Sequence, residues 1–485
     1  MNSRRIDKNT AIGGAIWKFF EQISAQLVSF IVSIILARLL SPEEYGAVTA
    51  LLIFITVANV FVTSGISDAL IQKKDATRLD FSSMFWVALG LSIILYVGLF
   101  FAAPYLADLY KTPSLTSLLR VLSLRIPITA FSNIQHAYVS KHMMFRKFFY
   151  SSLIGTTISG VVGIGLAYMG FGPWSLVFQY LTLTTIDTIV LLIIIDWKPR
   201  MEFSFDNVKK MSSFSIVMMF SALINTLYGE LQSFVIGVKY KMTDLSFYKK
   251  GFSFPQLVIT SIDTAISSAL FPVIAENSDD VVRVKTIQKK AVKVSTYCIF
   301  PIMFGMAAVS RDLISVLLTE KWIEASYYLV QGCLFYAMQP IQTTTWQALK
   351  ALGKQKTCIR CEIIKKIIGI AILFGTIPFG VRWVTMGIVL SGISSCAINM
   401  MAYKETTDYS VLKQLSDIIP NLILSVIMLV IVMAIRFIPG LSKMARLIIQ
   451  VLTGIVVYIV LSRLTHNESF EVLGSAAIEK IKSKK

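Results

Sequence analysis

The chain has 485 residues, 55% of them hydrophobic and only 15% charged, with a formal net charge of +18. A soluble protein would carry about 25% charged residues, so this composition excludes an ordinary soluble domain. The apolar residues lie in runs of roughly 20, the length needed to cross a bilayer, and such runs must be helical because lipid offers the backbone no hydrogen-bond partner.

In chain order, about 14 candidate spans appear, at 15–37, 45–66, 83–107, 116–139, 149–169, 173–195, 212–237, 248–275, 291–309, 323–348, 361–379, 383–403, 417–437 and 445–464. The fourth, eighth and tenth hold charges or prolines. The first contains Lys18, Glu21 and Gln22 with no small-residue cleavage site after it, so it reads as a retained helix rather than a signal peptide. The segment 197–212 is basic with an apolar edge at Phe205, Val208 and Met211, and predicts a short helix on the cytoplasmic surface. No connection exceeds roughly 20 residues, so function must reside among the helices.

The basic excess suggests nucleic acid until its distribution is considered. With the N-terminus inside, about 31 Lys and Arg fall on the cytoplasmic side, about 10 outside and about 5 within spans. The bias places both termini in the cytoplasm and leaves no reason to expect a nucleic-acid partner. Five cysteines are present; Cys358 and Cys361 form a C-x-x-C with no second pair or histidine cluster, and are read as ordinary cysteines.

Weak internal similarity suggests duplication. Phe30-Ile-Val-Ser aligns with Phe234-Val-Ile-Gly, and Phe205-Asp-Asn-Val-Lys-Lys-Met-Ser with Tyr409-Ser-Val-Leu-Lys-Gln-Leu-Ser, at the same offset. The expected architecture is an all-α polytopic membrane protein with an N-terminal six-helix lobe (1–203), a C-terminal six-helix lobe (204–405) around a central cavity, and two extra helices with a basic tail (406–485).

Polar residues recur at helical spacing within several spans. Lys249, Ser253, Gln256, Thr260, Asp263 and Ser267 form one stripe on the eighth, beside Lys250. Arg125, Thr129, Ser132 and His136 form another on the fourth, with Arg120 a turn and a half earlier. Gln339, Gln342, Thr343 and Trp346 align on the tenth, and Lys18, Glu21 and Gln22 on the first. Helix-to-helix gluing explains most Ser and Thr; cations buried without a neighbouring anion demand more. Lys18, Arg120, Arg125, Lys249 and Lys250 are the candidates for binding a phosphorylated substrate, with Gln256, Thr260, Gln339 and Gln342 lining the cavity. Asp263, Glu230 and Glu21 are the candidates for proton or sodium coupling, Glu21 being the weakest because Lys18 can pair with it. His136 is read as a satisfied polar residue rather than a proton relay. No nucleotide-binding loop, H-E-x-x-H or G-x-S-x-G is present, and no cofactor or enzyme activity is expected.

Leu36-Ala-Arg-Leu-Leu-Ser-Pro-Glu-Glu-Tyr-Gly46, after a span opening Gly14-Ala-Ile-Trp-Lys, resembles the signature of polysaccharide flippases of the Wzx and teichuronic-acid exporter type, within the multidrug/oligosaccharidyl-lipid/polysaccharide (MOP) exporter superfamily. Gly65-Ile-Ser-Asp-Ala-Leu-Ile-Gln72, Leu118-Leu-Arg-Val-Leu122, Gly172-Pro-Trp-Ser-Leu-Val177, Trp197-Lys-Pro-Arg200, Leu270-Phe-Pro-Val273 and Ala351-Leu-Gly-Lys354 follow in collinear order. The resemblance implies 12 to 14 helices in two lobes, alternating access and export of undecaprenyl-diphosphate-linked oligosaccharide repeat units across a bacterial cytoplasmic membrane. Membrane lipids and polysaccharide assembly proteins are then the expected partners. Relatives commonly carry an Asp where Tyr228-Gly-Glu-Leu-Gln-Ser-Phe-Val-Ile-Gly237 places Glu230. A MATE-like drug or metabolite antiporter is the alternative, and a glycan polymerase or ligase a weaker one, since no large extracytoplasmic loop is available to carry catalytic residues.

Overall fold

A computed structural model describes the backbone of residues 8–482 and the side chains of Trp17 and residues 23–475. Among the described residues all regular structure is helical. The helices are α1 (Lys8–Leu39), α2 (Pro42–Thr63), α3 (Ile66–Gln72), α4 (Arg78–Leu109), α5 (Leu115–Leu122), α6 (Arg125–Lys141), α7 (Phe145–Tyr168), α8 (Trp174–Ile194), α9 (Phe205–Lys239) and α10 (Met242–Ala275). They continue as α11 (Val281–Ala308), α12 (Ser310–Leu318), α13 (Ala325–Ala337), α14 (Gln339–Ala351), α15 (Gln355–Thr376), α16 (Val381–Thr407), α17 (Val411–Ala434), α18 (Lys443–Leu464) and α19 (Glu468–Lys482). The chain divides into two units, Met1–Ser246 and Phe247–Lys485, the division falling inside α10.

Among the described residues, 11 segments are long and apolar enough to cross a membrane, so the chain is a polytopic membrane protein but the expected count of 14 is not reached. The shortfall has identifiable causes. The first span lies partly over undescribed side chains. The tenth is broken at Met338 into α13 and α14, with Pro340 in the first turn of the second piece, where its missing N–H costs nothing. The eleventh, α15, begins with Lys356, Arg360, Glu362, Lys365 and Lys366, too many charges for an apolar window.

In the first unit, α2 is set by a capping box. Ser41 Oγ accepts from the Glu44 N–H at 3.2 Å, Glu44 Oε2 accepts from the Ser41 N–H at 2.8 Å, and Pro42 opens the helix. Gly46 is obligatory: a Cβ there would lie 2.0 Å from the Met242 carbonyl oxygen. Gly65 is likewise fixed, by φ +82° and by the Ser215 carbonyl 2.1 Å from a Cβ. The expected surface helix over 197–212 does not form. Residues 195–204 are instead a non-helical strap against α4, and α9 starts at Phe205 and runs unbroken to Lys239. Trp197 drives this: it is buried among Phe81, Phe85 and Tyr138, while Trp86 Nε1 donates to the Arg200 carbonyl at 2.9 Å.

In the second unit, the expected appendage is bound by a buried polar clasp. Asn421 on α17 donates through Nδ2 to the Lys293 carbonyl (2.9 Å) and to Thr296 Oγ1 (3.0 Å) on α11. Asn467, at the start of α19, donates to Asn421 Oδ1 at 3.0 Å. Lys293 pairs with Asp417 at 3.0 Å and Glu468 at 2.6 Å, and Lys289 pairs with Asp417 at 3.1 Å. Tyr458 on α18 donates to the Tyr297 carbonyl at 2.9 Å, and Tyr297 to Ser462 Oγ at 3.0 Å. Asn467 belongs to a formal glycosylation sequon; its burial in this clasp gives it a structural occupation.

Candidate functional site: a polar cavity within membrane-spanning helices

The second unit holds a cavity of about 400 Å³ lined by Asp263 and Ser267 of α10, Gln339, Gln342, Thr343, Trp346 and Gln347 of α14, Glu362 and Lys365 of α15, and Asn399 of α16. The α14 residues reach it because positions 339, 342, 343 and 346 fall on one helical face. Thr343 Oγ1 donates to Asp263 Oδ1, and the Gln339 side chain donates to the same carboxylate. Glu362 and Lys365, one turn apart, form an ion pair, and the Lys365 ammonium sits 5.4 Å from the centre of the Trp346 ring. Asn399 is 1% exposed, and its Oδ1 has no hydrogen-bond partner among the described residues. A buried acceptor left unmade is costly, which suits it to a ligand donor.

The formal charges lining the cavity come to −1, from two carboxylates and one ammonium. The space lies in the range of small-ligand pockets, far larger than a single ion needs, and its amides, hydroxyls and indole are the groups that hold hydroxyl-rich molecules.

The sequence candidates distribute unevenly around it. Asp263, Gln339 and Gln342 are brought together. Gln256 and Thr260 are exposed and line no part of this cavity, the Thr260 hydroxyl donating to the Gln256 carbonyl of its own helix at 2.7 Å. Lys249 is half-buried and Lys250 buried, both near the start of α10 and both engaged with other groups. Glu230 lies half-buried on α9 in the first unit, also engaged. Lys18 and Glu21 fall outside the described side chains. Glu362, Lys365 and Asn399 were not among the sequence candidates. The first two lie in a stretch that counts as a basic cytoplasmic connection, and their signal is opposite charge at i and i+3.

In the first unit, Arg125 Nε donates to Thr184 Oγ1 at 3.1 Å, and its guanidinium lies 5.5 Å from the centre of the Tyr180 ring. Arg120 Nε donates to the Phe100 carbonyl at 3.2 Å, with the guanidinium 4.4 Å from that ring's centre. Among the described residues neither guanidinium has a carboxylate partner, so each retains donors for an anion. On the same faces of α6 and α8, His136 Nε2 lies 2.8 Å from Asp187 Oδ2. Asp187, the lone carboxylate of its span, went unread in the sequence.

The similarities to known proteins agree with this architecture. The chain is 28% identical over 325 residues to the succinoglycan biosynthesis transport protein ExoT of Rhizobium meliloti (strain 1021), covering 67% of this chain and 65% of that protein's length. It is 22% identical over 390 residues to the lipopolysaccharide biosynthesis protein WzxC of Escherichia coli (strain K12), covering 79% of this chain and 78% of that one. Among solved structures, the lipid II flippase MurJ in an inward closed conformation matches with a TM-score of 0.74 at 17% identity, covering 94% of this chain and 99% of that one. An inward-facing MATE multidrug transporter of the MOP superfamily matches with a TM-score of 0.61 at 15% identity, covering 79% and 94%. These likenesses show that the chain shares the fold of those two structures. Residues 35–327 match the family described as "Polysaccharide biosynthesis protein", and the chain belongs to it.

Proposed function

We propose that this chain translocates lipid-linked oligosaccharide repeat units across the cytoplasmic membrane by alternating access, with both termini cytoplasmic. The observation that supports this most is the polar cavity around Asp263. A space of about 400 Å³ lined by amides, hydroxyls and an indole inside a membrane-spanning unit suits sugar rings, not acyl chains. The relatives named for succinoglycan and lipopolysaccharide biosynthesis favour the same substrate class.

In this reading the two six-helix lobes, 1–203 and 204–405, rock about the substrate, and 406–485 is the appended part. Arg125 and Arg120 attract the diphosphate through charge-assisted bonds, aided by Lys249, Lys250 and Lys18. Gln339, Gln342 and Asp263 receive the glycan, with Gln256 and Thr260 met along its path. A proton or sodium gradient supplies the free energy, Asp263, Glu230 and Glu21 being the sequence candidates. Polysaccharide assembly proteins receive the product.

The test is reconstitution. Purified protein in liposomes should move lipid-linked oligosaccharide between leaflets, and deletion of the chain in cells should accumulate it on the cytoplasmic leaflet. A deletion strain with normal surface glycan and a new sensitivity to cationic drugs would instead support the MATE-like antiporter.

A further inference from the structure

We infer that the His136–Asp187 pair in the first unit is the proton-binding site of the transport cycle. The inference rests on the flippase reading and adds to it a residue-level source of coupling. His136 sits on α6 about 7.5 Å along the helix from Lys141 at 1.5 Å per residue, and Asp187 on α8 within the span Trp174–Ile194. Their Nε2 and Oδ2 atoms are 2.8 Å apart. An imidazole and a carboxylate inside a membrane are costly to keep and ordinarily mark a pathway for ions or protons. Exposure separates their roles: the His136 side chain is 42% exposed and the Asp187 side chain 14%. The imidazole is therefore the accessible member of the pair, and the carboxylate the more enclosed one.

The charges around the pair leave it as the titrating unit. On α6 itself, Arg125 lies about 16 Å away along the helix and is held by Thr184 and Tyr180. From α7, the Phe148 ring meets His136 edge-on at 4.8 Å, and Lys147 donates to the Ile194 carbonyl at 2.9 Å. From α8, Tyr180 faces Arg125. On α2 the acidic residues are Glu43 and Glu44 at its N-terminus; on α3, Asp68 accepts from the Gly65 N–H; on α4, Asp80 pairs with Lys73. On α5, Arg120 is engaged with Phe100. Lys141 at the end of α6 donates to the Leu70 and Ile71 carbonyls. Among the described residues no third charged group touches the pair; Lys18 and Glu21 of α1 lie outside that set.

The proton balance is simple. Neutral His136 donates its Nε2–H to the Asp187 carboxylate, and the pair carries −1. One proton taken onto Nδ1 gives imidazolium against carboxylate, and the pair is neutral. The neutral form crosses a closed, low-dielectric state at less cost, so the occluded conformation favours the loaded pair. Asp263, by contrast, already accepts from two side chains inside the sugar-type cavity.

The experiment uses the full chain in proteoliposomes with the membrane potential clamped, loaded with lipid-linked oligosaccharides extracted from cells lacking it. The readout is the steady-state leaflet ratio with and without a pH difference, so a slowed variant remains informative. With the proton crossing as the emptied carrier resets, in exchange for the lipid, the wild type is expected to shift the lipid toward the acidic side by up to about tenfold per pH unit for one proton per cycle. His136→Gln and Asp187→Asn should lose that shift. Gln still donates to Asp187, so a purely structural bond predicts an intact shift in H136Q; that result overturns the inference. A wild type that equilibrates the lipid but ignores the pH difference also overturns it, and leaves the flippase reading standing. If the wild type moves no lipid, the flippase reading fails, and the site is judged by histidine-selective 15N NMR on a His142→Gln/His466→Gln protein. A lone His136 ring changing protonation between about pH 5 and 8 supports the site, and a ring fixed in one form overturns it.

Discussion

Asp263 is the residue on which the proposed glycan cavity turns. Its carboxylate is held by Thr343 and Gln339, so both the charge and its aim are prearranged. Asp263→Asn keeps the shape but removes a charged acceptor worth about 1.5–3 kcal/mol per bond, and leaflet transport should fall by about tenfold or more with protein yield unchanged. Thr343→Val should fall less, since the carboxylate keeps Gln339. Arg125→Gln should weaken transport more than Arg125→Lys, because Lys preserves the charge offered to a diphosphate while losing the stacking on Tyr180. The helical spacing of Gln339, Gln342, Thr343 and Trp346 made their shared face legible in the sequence. Glu362 and Lys365 were not legible, because a one-turn ion pair near a span end counts as a topology signal. The α10 stripe was legible but overlong: Asp263 and Ser267 reach the cavity, while Gln256 and Thr260 do not.

At the scale of elements, the run that carried the family resemblance has a mechanical explanation. Ser41, Pro42 and Glu44 start α2, and Gly46 admits the backbone of Met242. Gly172, with φ +54°, meets the same element: a Cβ there would lie 2.7 Å from Glu44 Oε1, so two separate sequence motifs converge on one helix start. Gly46→Ala should lower the melting temperature of the purified protein sharply, because the obstacle is backbone. Ser41→Ala should cost about 1 kcal/mol, a smaller shift in the same melt. Helix existence was well legible from apolar run length. The breaks were less so: α5 and α6 part at Ser123–Leu124, and α13 and α14 at Met338, each within a stretch whose length alone reads as one span. The expected surface helix over 197–212 rests on an apolar edge at Phe205, Val208 and Met211, which belongs instead to the first turns of α9, whereas Trp197 is buried and anchors the non-helical strap 195–204.

At the scale of the whole molecule, the charge bias makes a prediction independent of any site. Reporter fusions at both ends should read cytoplasmic, and moving several Lys from the 349–366 segment to an outside-facing connection should lower correct insertion. The clasp joining α11, α17, α18 and α19 bears on biogenesis. A chain being synthesised exposes α11 long before Asn421 and Asn467 leave the ribosome. Until then the buried Tyr297 hydroxyl lacks the partner that the finished protein gives it, and a buried polar group left unmet costs about 1–3 kcal/mol. The second unit is therefore completed only when its last helices arrive. A nascent chain stopped after residue 405 should be inserted yet recognised as unfinished and degraded, whereas Asn421→Asp, which keeps the size but removes the donor, should mature slowly rather than not at all. Pulse-chase labelling would separate these fates, and a stable, long-lived 1–405 fragment would show that the final helices are dispensable for quality control.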